Sequence, residues 1–66
     1  MMTRSERQQV FLRICKDTNF TMDAFEAAFL AGRVCSVTPL QIAFDFGMDT
    51  MKQVAMGKHP FCQTKV

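Results

Sequence analysis

The sequence predicts an all-α domain of four short helices. Three observations carry that expectation. Capping residues stand ahead of apolar runs at Thr3, Thr21, Thr38 and Asp49. Glycines close the later runs at Gly32, Gly47 and Gly57. Within each run the apolar residues recur with helical spacing, and no stretch alternates as a strand would. A chain of 66 residues has room for one domain, spanning residues 1–66.

Thr3 opens the first helix, and Glu6 three residues later completes a capping box that satisfies two orphan backbone donors. The helix runs to about Lys16. Val10, Phe11, Ile14 and Cys15 form its inner face, which leaves Arg4, Arg7, Gln8 and Arg13 for solvent or a ligand. Asp17-Thr18-Asn19 is a turn cluster. Thr21 is expected to cap the second helix, with Phe20 stapled onto Phe25 and with Asp23 and Glu26 favoured by the helix dipole. Its expected inner face is Met22, Phe25, Ala28 and Phe29, and Gly32 is its expected stop, followed by Arg33.

Thr38 caps the third helix and Pro39 takes its first position, where a missing N–H costs nothing. Gln41 is placed to complete a second capping box, and Val37 and Ile42 to form a staple. Gly47 ends this helix. Asp49 is expected to cap the fourth, whose inner face is Met51, Val54 and Ala55. Gly57 closes it, Pro60 prevents a restart, and Phe61 to Val66 reads as irregular.

The run Ile42-Ala43-Phe44-Asp45-Phe46-Gly47-Met48-Asp49 supplies the parts of a helix-turn-helix corner in order. Ala43 allows two backbones to approach, Gly47 turns the chain, Met48 plugs the core and Asp49 caps the next helix. Over residues 38–60 this resembles the helix-turn-helix DNA-binding regulators of bacteria and phages. Gly57-Lys58-His59-Pro60 is similar to the Gly-Lys-x-x-Pro that follows the recognition helix in Cro/repressor-type domains. Phe44 stands where such motifs expose a polar residue, and Val54 arrives one residue after their recognition-helix core position.

The resemblance implies a small DNA-binding transcription regulator built on a helix-turn-helix formed by the third and fourth helices. Thr50, Lys52 and Gln53 would read bases in double-stranded DNA, since Gln suits adenine edges and Lys suits guanine. Arg4, Arg33 and Lys58 would contact phosphates. The net charge of +2 and pI of about 8.6 are mildly basic, well below a strongly cationic binder.

An alternative function rests on apolar excess. The chain is 48% hydrophobic, with seven Phe and six Met, while a domain of this size buries only about 60% of its unfolded surface. Leu12, Leu30, Phe44, Met51 and Met56 lie off or at the edge of the expected inner faces. They are candidates for a homodimer seam or for the surface of a protein-binding inhibitor or adaptor that does not use DNA.

Other chemistry finds little support. His59 and Cys62 have His-x-x-Cys spacing, and Cys15 and Cys35 could complete a zinc set, but both are solitary and structural zinc takes ligands in close pairs. No metal or cofactor is expected, and the thiols are expected to be structural. His59 is the sole histidine and has no evident acid to orient it, and Ser5 and Ser36 have no base, so no enzyme activity is expected. The polar N-terminal stretch lacks a signal-peptide pattern and no apolar run approaches a membrane span, so a cytoplasmic location without membrane partners is expected.

Overall fold

A computed structural model describes residues 1–63. Four α-helices follow in order: α1 (Arg4–Asp17), α2 (Ala24–Cys35), α3 (Pro39–Phe46) and α4 (Met48–Ala55), with a 3-10 turn at Pro60–Gln63. The described residues contain no strand, and no single helix among them is long and apolar enough to cross a membrane. The tail expected to be irregular is therefore ordered as a short turn through Gln63, while Thr64 to Val66 lie outside the described residues.

The first helix forms as the sequence requires. Thr3 Oγ1 accepts from Glu6 N at 3.2 Å and Thr3 N donates to Glu6 Oε1 at 2.7 Å, so the capping box closes on both sides. At the other end Phe20 N donates to Cys15 O and Asn19 N to Lys16 O. Those paired bonds form a Schellman cap, with Asn19 left-handed at φ 58°. Phe20 is left-handed too, also at φ 58°.

That extended cap delays α2. Thr21 is consumed in the loop, its hydroxyl donating to Thr18 O at 2.6 Å, and Asp23 caps the helix instead by accepting from Phe25 N at 2.9 Å. The face that α2 turns inward also differs from the expected one. Ala24, Ala27, Ala28, Ala31 and Gly32 are buried, whereas Phe25 and Phe29, expected inside, are 53% and 56% exposed. Phe20 packs not on Phe25 but over Gly57, where an added Cβ would come within 2.9 Å of its ring.

Gly32 does not stop α2. It lies three residues inside the helix end, where a Cβ would meet Val37 O at 2.7 Å. Its role is close approach, and the helix ends instead at left-handed Ser36 (φ 60°, ψ 40°).

Helix α3 starts at Thr38, which accepts from Gln41 N at 3.2 Å, with Pro39 in the first position. The second capping box is half formed, because the Gln41 amide turns to Asp45 instead (3.1 Å). Gly47 is the whole connection to α4. Its N–H donates to Ala43 O at 2.7 Å and its carbonyl accepts from Met51 N at 2.9 Å. Asp49 lies inside the first turn of α4 and makes no capping bond.

Phe11, Cys15, Ile42, Met51 and Val54 are fully buried at the centre. Phe46 joins them from the side, with its ring 5.0 Å from Phe11 and 6.0 Å from Phe61. The radius of gyration is 10.3 Å, close to the roughly 11 Å expected for this length. Loose packing therefore does not account for the exposed phenylalanines.

Candidate functional site

The α3–α4 junction lacks most of what a helix-turn-helix corner requires. One residue joins the helices where such a corner uses a turn of several. Gly47 has φ 87° and ψ 145°, not the left-handed helical values. Met48, expected to plug the core, is 44% exposed. Ala43 is buried as expected. Lys52 and Gln53 are exposed and Thr50 is half-buried.

The preceding junction shares more features with such a corner. Helices α2 and α3 cross at 109°, within the range typical of helix-turn-helix units. The turn is Ser36-Val37-Thr38, with Ser36 left-handed, Val37 packed against the core and Thr38 capping the next helix. Gly32 supplies the small residue at the crossing, and Ile42, fully buried, anchors the second helix. The sequence signal was the spacing Gly32-x-x-x-Ser36-Val37-Thr38. It was obscured because Gly32 resembles a helix stop and the left-handed position holds Ser rather than Gly.

As the second helix of that corner, α3 would be the reading element. Its protruding side chains are Leu40, 67% exposed, and Phe44, 75% exposed. Neither is a cation or an amide. Gln41, its one flexible amide, already donates to Asp45.

Asp45 is the main polar feature that the sequence did not reveal. It is 3% exposed and accepts from Arg7 Nε at 2.6 Å, from Arg7 Nη2 at 3.0 Å and from Gln41 Nε2 at 3.1 Å. Its backbone carbonyl accepts from Arg4 Nε at 3.2 Å and from Gln8 Nε2 at 2.7 Å. Arg7 also donates to Met2 O at 3.1 Å. This clamp fastens α1 to the C-terminal end of α3, where helical carbonyls lack intrahelical donors. Arg7 and Gln8 are therefore engaged within the fold, while Arg4 stays exposed with only its Nε bonded to Asp45 O.

The two-pronged guanidinium contact from Arg7 holds the Asp45 carboxyl below the usual aspartate range, against the opposing effect of burial. With both oxygens bonded and the group 3% exposed, Asp45 ties α1 to α3 as a buried strap.

The other cations expected at DNA do not share one element. Arg33 lies exposed on α2, Lys52 on α4 and Lys58 beyond it. Two residues expected at an exposed seam, Leu12 and Met51, are buried in the chain's own core. Leu30, Phe44 and Met56 are exposed. The outer face of α2 carries Phe25, Phe29, Leu30 and Val34, and a shallow apolar depression is lined by Phe25, Glu26, Phe29 and Leu30.

Burial raises the Cys15 thiol to about 11 and also raises Cys35, so neither is an activated thiolate at neutral pH. Cys62 Sγ lies 3.4 Å from Val54 O as a weak donor, and His59 Nδ1 accepts from Phe61 N at 3.0 Å. Among the described residues no three His, Cys, Asp or Glu side chains converge as metal ligands would. The chain matches no protein-family model, no curated protein and no solved structure.

Proposed function

We propose that this protein is a small helical protein-binding module, an adaptor or inhibitor that docks through exposed apolar side chains rather than through DNA. One observation carries the reading: three large aromatic side chains stand outside a core that is already filled. Of seven Phe only Phe11 is fully buried, while Phe25, Phe29 and Phe44 are more than half exposed. Apolar patches of that kind on a well-packed chain mark interaction sites. Leu40 and Phe44, one turn apart on α3, present the strip that a partner would cover.

The α2–α3 corner favours a second reading, DNA binding with α3 rather than α4 in the major groove. The two readings differ in salt response, because phosphate contacts release counterions and apolar contacts do not. Partner capture from extracts of the producing cell, at low and high salt, tests the first. Capture that survives high salt and is lost in the Leu40→Glu, Phe44→Glu double variant supports it. Enrichment of one sequence from a random DNA pool, falling steeply with salt, would overturn it in favour of the second.

A further inference from the structure

Helix α2 has a self-complementary outer face. Glu26, Phe29, Leu30 and Arg33 follow the i, i+3, i+4, i+7 spacing of a helix seam, with Phe25 and Val34 as its flanks. All six are exposed. The order of types along that strip is aromatic, acid, aromatic, aliphatic, base, aliphatic, so it reads as opposite charges placed evenly about an apolar centre.

Taking the exposed apolar surface as a docking surface, we infer that the occupant of this face is a second copy of the same chain, with α2 packed antiparallel against α2 about a two-fold axis between Phe29 and Leu30. In that arrangement Glu26 of each copy meets Arg33 of the other, Phe29 meets Leu30, and Phe25 meets Val34. An isologous contact repeats every pairing, so both charge pairs form at once. Parallel packing would instead set Glu26 against Glu26 and Arg33 against Arg33.

Glu26 and Arg33 lie about 10 Å apart along their own helix, and neither is in a salt bridge among the described residues. The helix dipole alone accounts for an acid in the first turn and a base in the last. It does not account for Phe29 and Leu30 between them, facing water. Phe25 and Phe29, each about half exposed, leave roughly 100 Å² of ring apiece in solvent. Doubled by symmetry, and with the stems of the flanking residues added, the seam approaches the ~1,000 Å² at which specific interfaces begin. The depression lined by Phe25, Glu26, Phe29 and Leu30 gives a seat to an apolar side chain of the facing helix.

Sedimentation equilibrium over a concentration series tests the assignment. The wild-type chain should dimerise, and Phe29→Glu should yield a folded monomer. Glu26→Arg alone and Arg33→Glu alone should each weaken dimerisation roughly tenfold, since both charge pairs become repulsive. An equimolar mixture of those two variants should restore a heterodimer, because each Arg then faces a Glu. The charge variants lie on the surface, and circular dichroism checks that they fold. A wild-type chain that stays monomeric at high concentration overturns the inference and leaves the protein-binding reading intact, with this face open to another protein. A dimer unaffected by Glu26→Arg or Phe29→Glu but split by Phe44→Glu also overturns it, and moves the seam to α3.

Discussion

Helices α1 and α2 are of similar length, 14 and 12 residues, and are built on opposite plans. On α1 the bulky apolar residues Phe11 and Leu12 are buried, while Ser5, Gln9, Arg13 and Lys16 face water. On α2 the inner face is four alanines and a glycine, and the bulk is outside as Phe25, Phe29, Leu30 and Val34. A helix that is apolar on both faces is at home only when covered on both. The small inner face lets α1 and α3 approach α2 closely, as Gly32 beneath the Val37 carbonyl demonstrates. The large outer face contributes less to that packing, with Phe25, Phe29 and Val34 more than half exposed. The contrast separates residues that fill the core from residues that leave much of their surface in solvent.

The largest expected effect probes that contrast directly. Phe11→Ala removes a fully buried ring and should cost about 3–5 kcal/mol. Phe29→Ala removes a ring of the same size from the outer face and should change monomer stability by roughly 0.5 kcal/mol or less. Urea unfolding at low protein concentration measures both. Comparable losses would mean that the outer face of α2 is packed within the chain and that the two plans are the same.

The same contrast explains what was legible in the sequence. The fold class, four helices, the Thr3 box, the Thr38 and Pro39 start and the inner face of α4 could all be read from local patterns. The second helix could not, because its apolar residues surround it. With Phe, Ala and Leu on both of its faces, periodicity fits either one, and neither the buried face nor the start of the helix could be read locally. The start depended on a Schellman cap with two left-handed residues, Asn19 and Phe20. A bulky Phe in that conformation is uncommon and carries no sequence signature. Asp45 was illegible for another reason. Its partner Arg7 lies 38 positions away, and no local rule joins residues so distant. The α2–α3 corner was illegible for the same reason as the second helix, since Gly32 lies inside α2 rather than at its end.

Asp45 sharpens the comparison from the α1 side, since the clamp is how α1 grips α3. Asp45→Asn keeps the shape and loses the charge-assisted bonds from Arg7, and should cost about 2 kcal/mol at neutral pH. The pH dependence has a definite sign. The folded carboxyl titrates below its ordinary value of 3.8, chiefly because Arg7 bonds to its ionised form. Its contribution is therefore complete above that value and is lost as pH falls below it through the folded value. Wild type and variant should converge toward pH 2 in thermal melts. Glu6 is also held low, by its bond to the Thr3 backbone, so a residual acid slope should persist in the variant. A gap between the two proteins that stays constant down to pH 2 would show that the charge on Asp45 is not what fastens the helices.

The smallest effect distinguishes the two helix starts. Thr3 accepts from the backbone of α1 and Asp23 from that of α2, so Thr3→Ala and Asp23→Ala should each cost about 1 kcal/mol. Thr21 offers its hydroxyl to Thr18 O, and Asp49 makes no capping bond at all. Asp49→Ala should therefore cost no more than the few tenths of a kcal/mol that a carboxylate contributes near a helix N-terminus. Thr21→Ala should fall between, because its loop bond is exposed and water can replace it. The ranking matters more than any single value. It states that α2 is capped by Asp23 and that Thr21 belongs to the loop before it. If Thr21→Ala proves as costly as Asp23→Ala in chemical denaturation, Thr21 rather than Asp23 caps the helix in solution and α2 begins earlier.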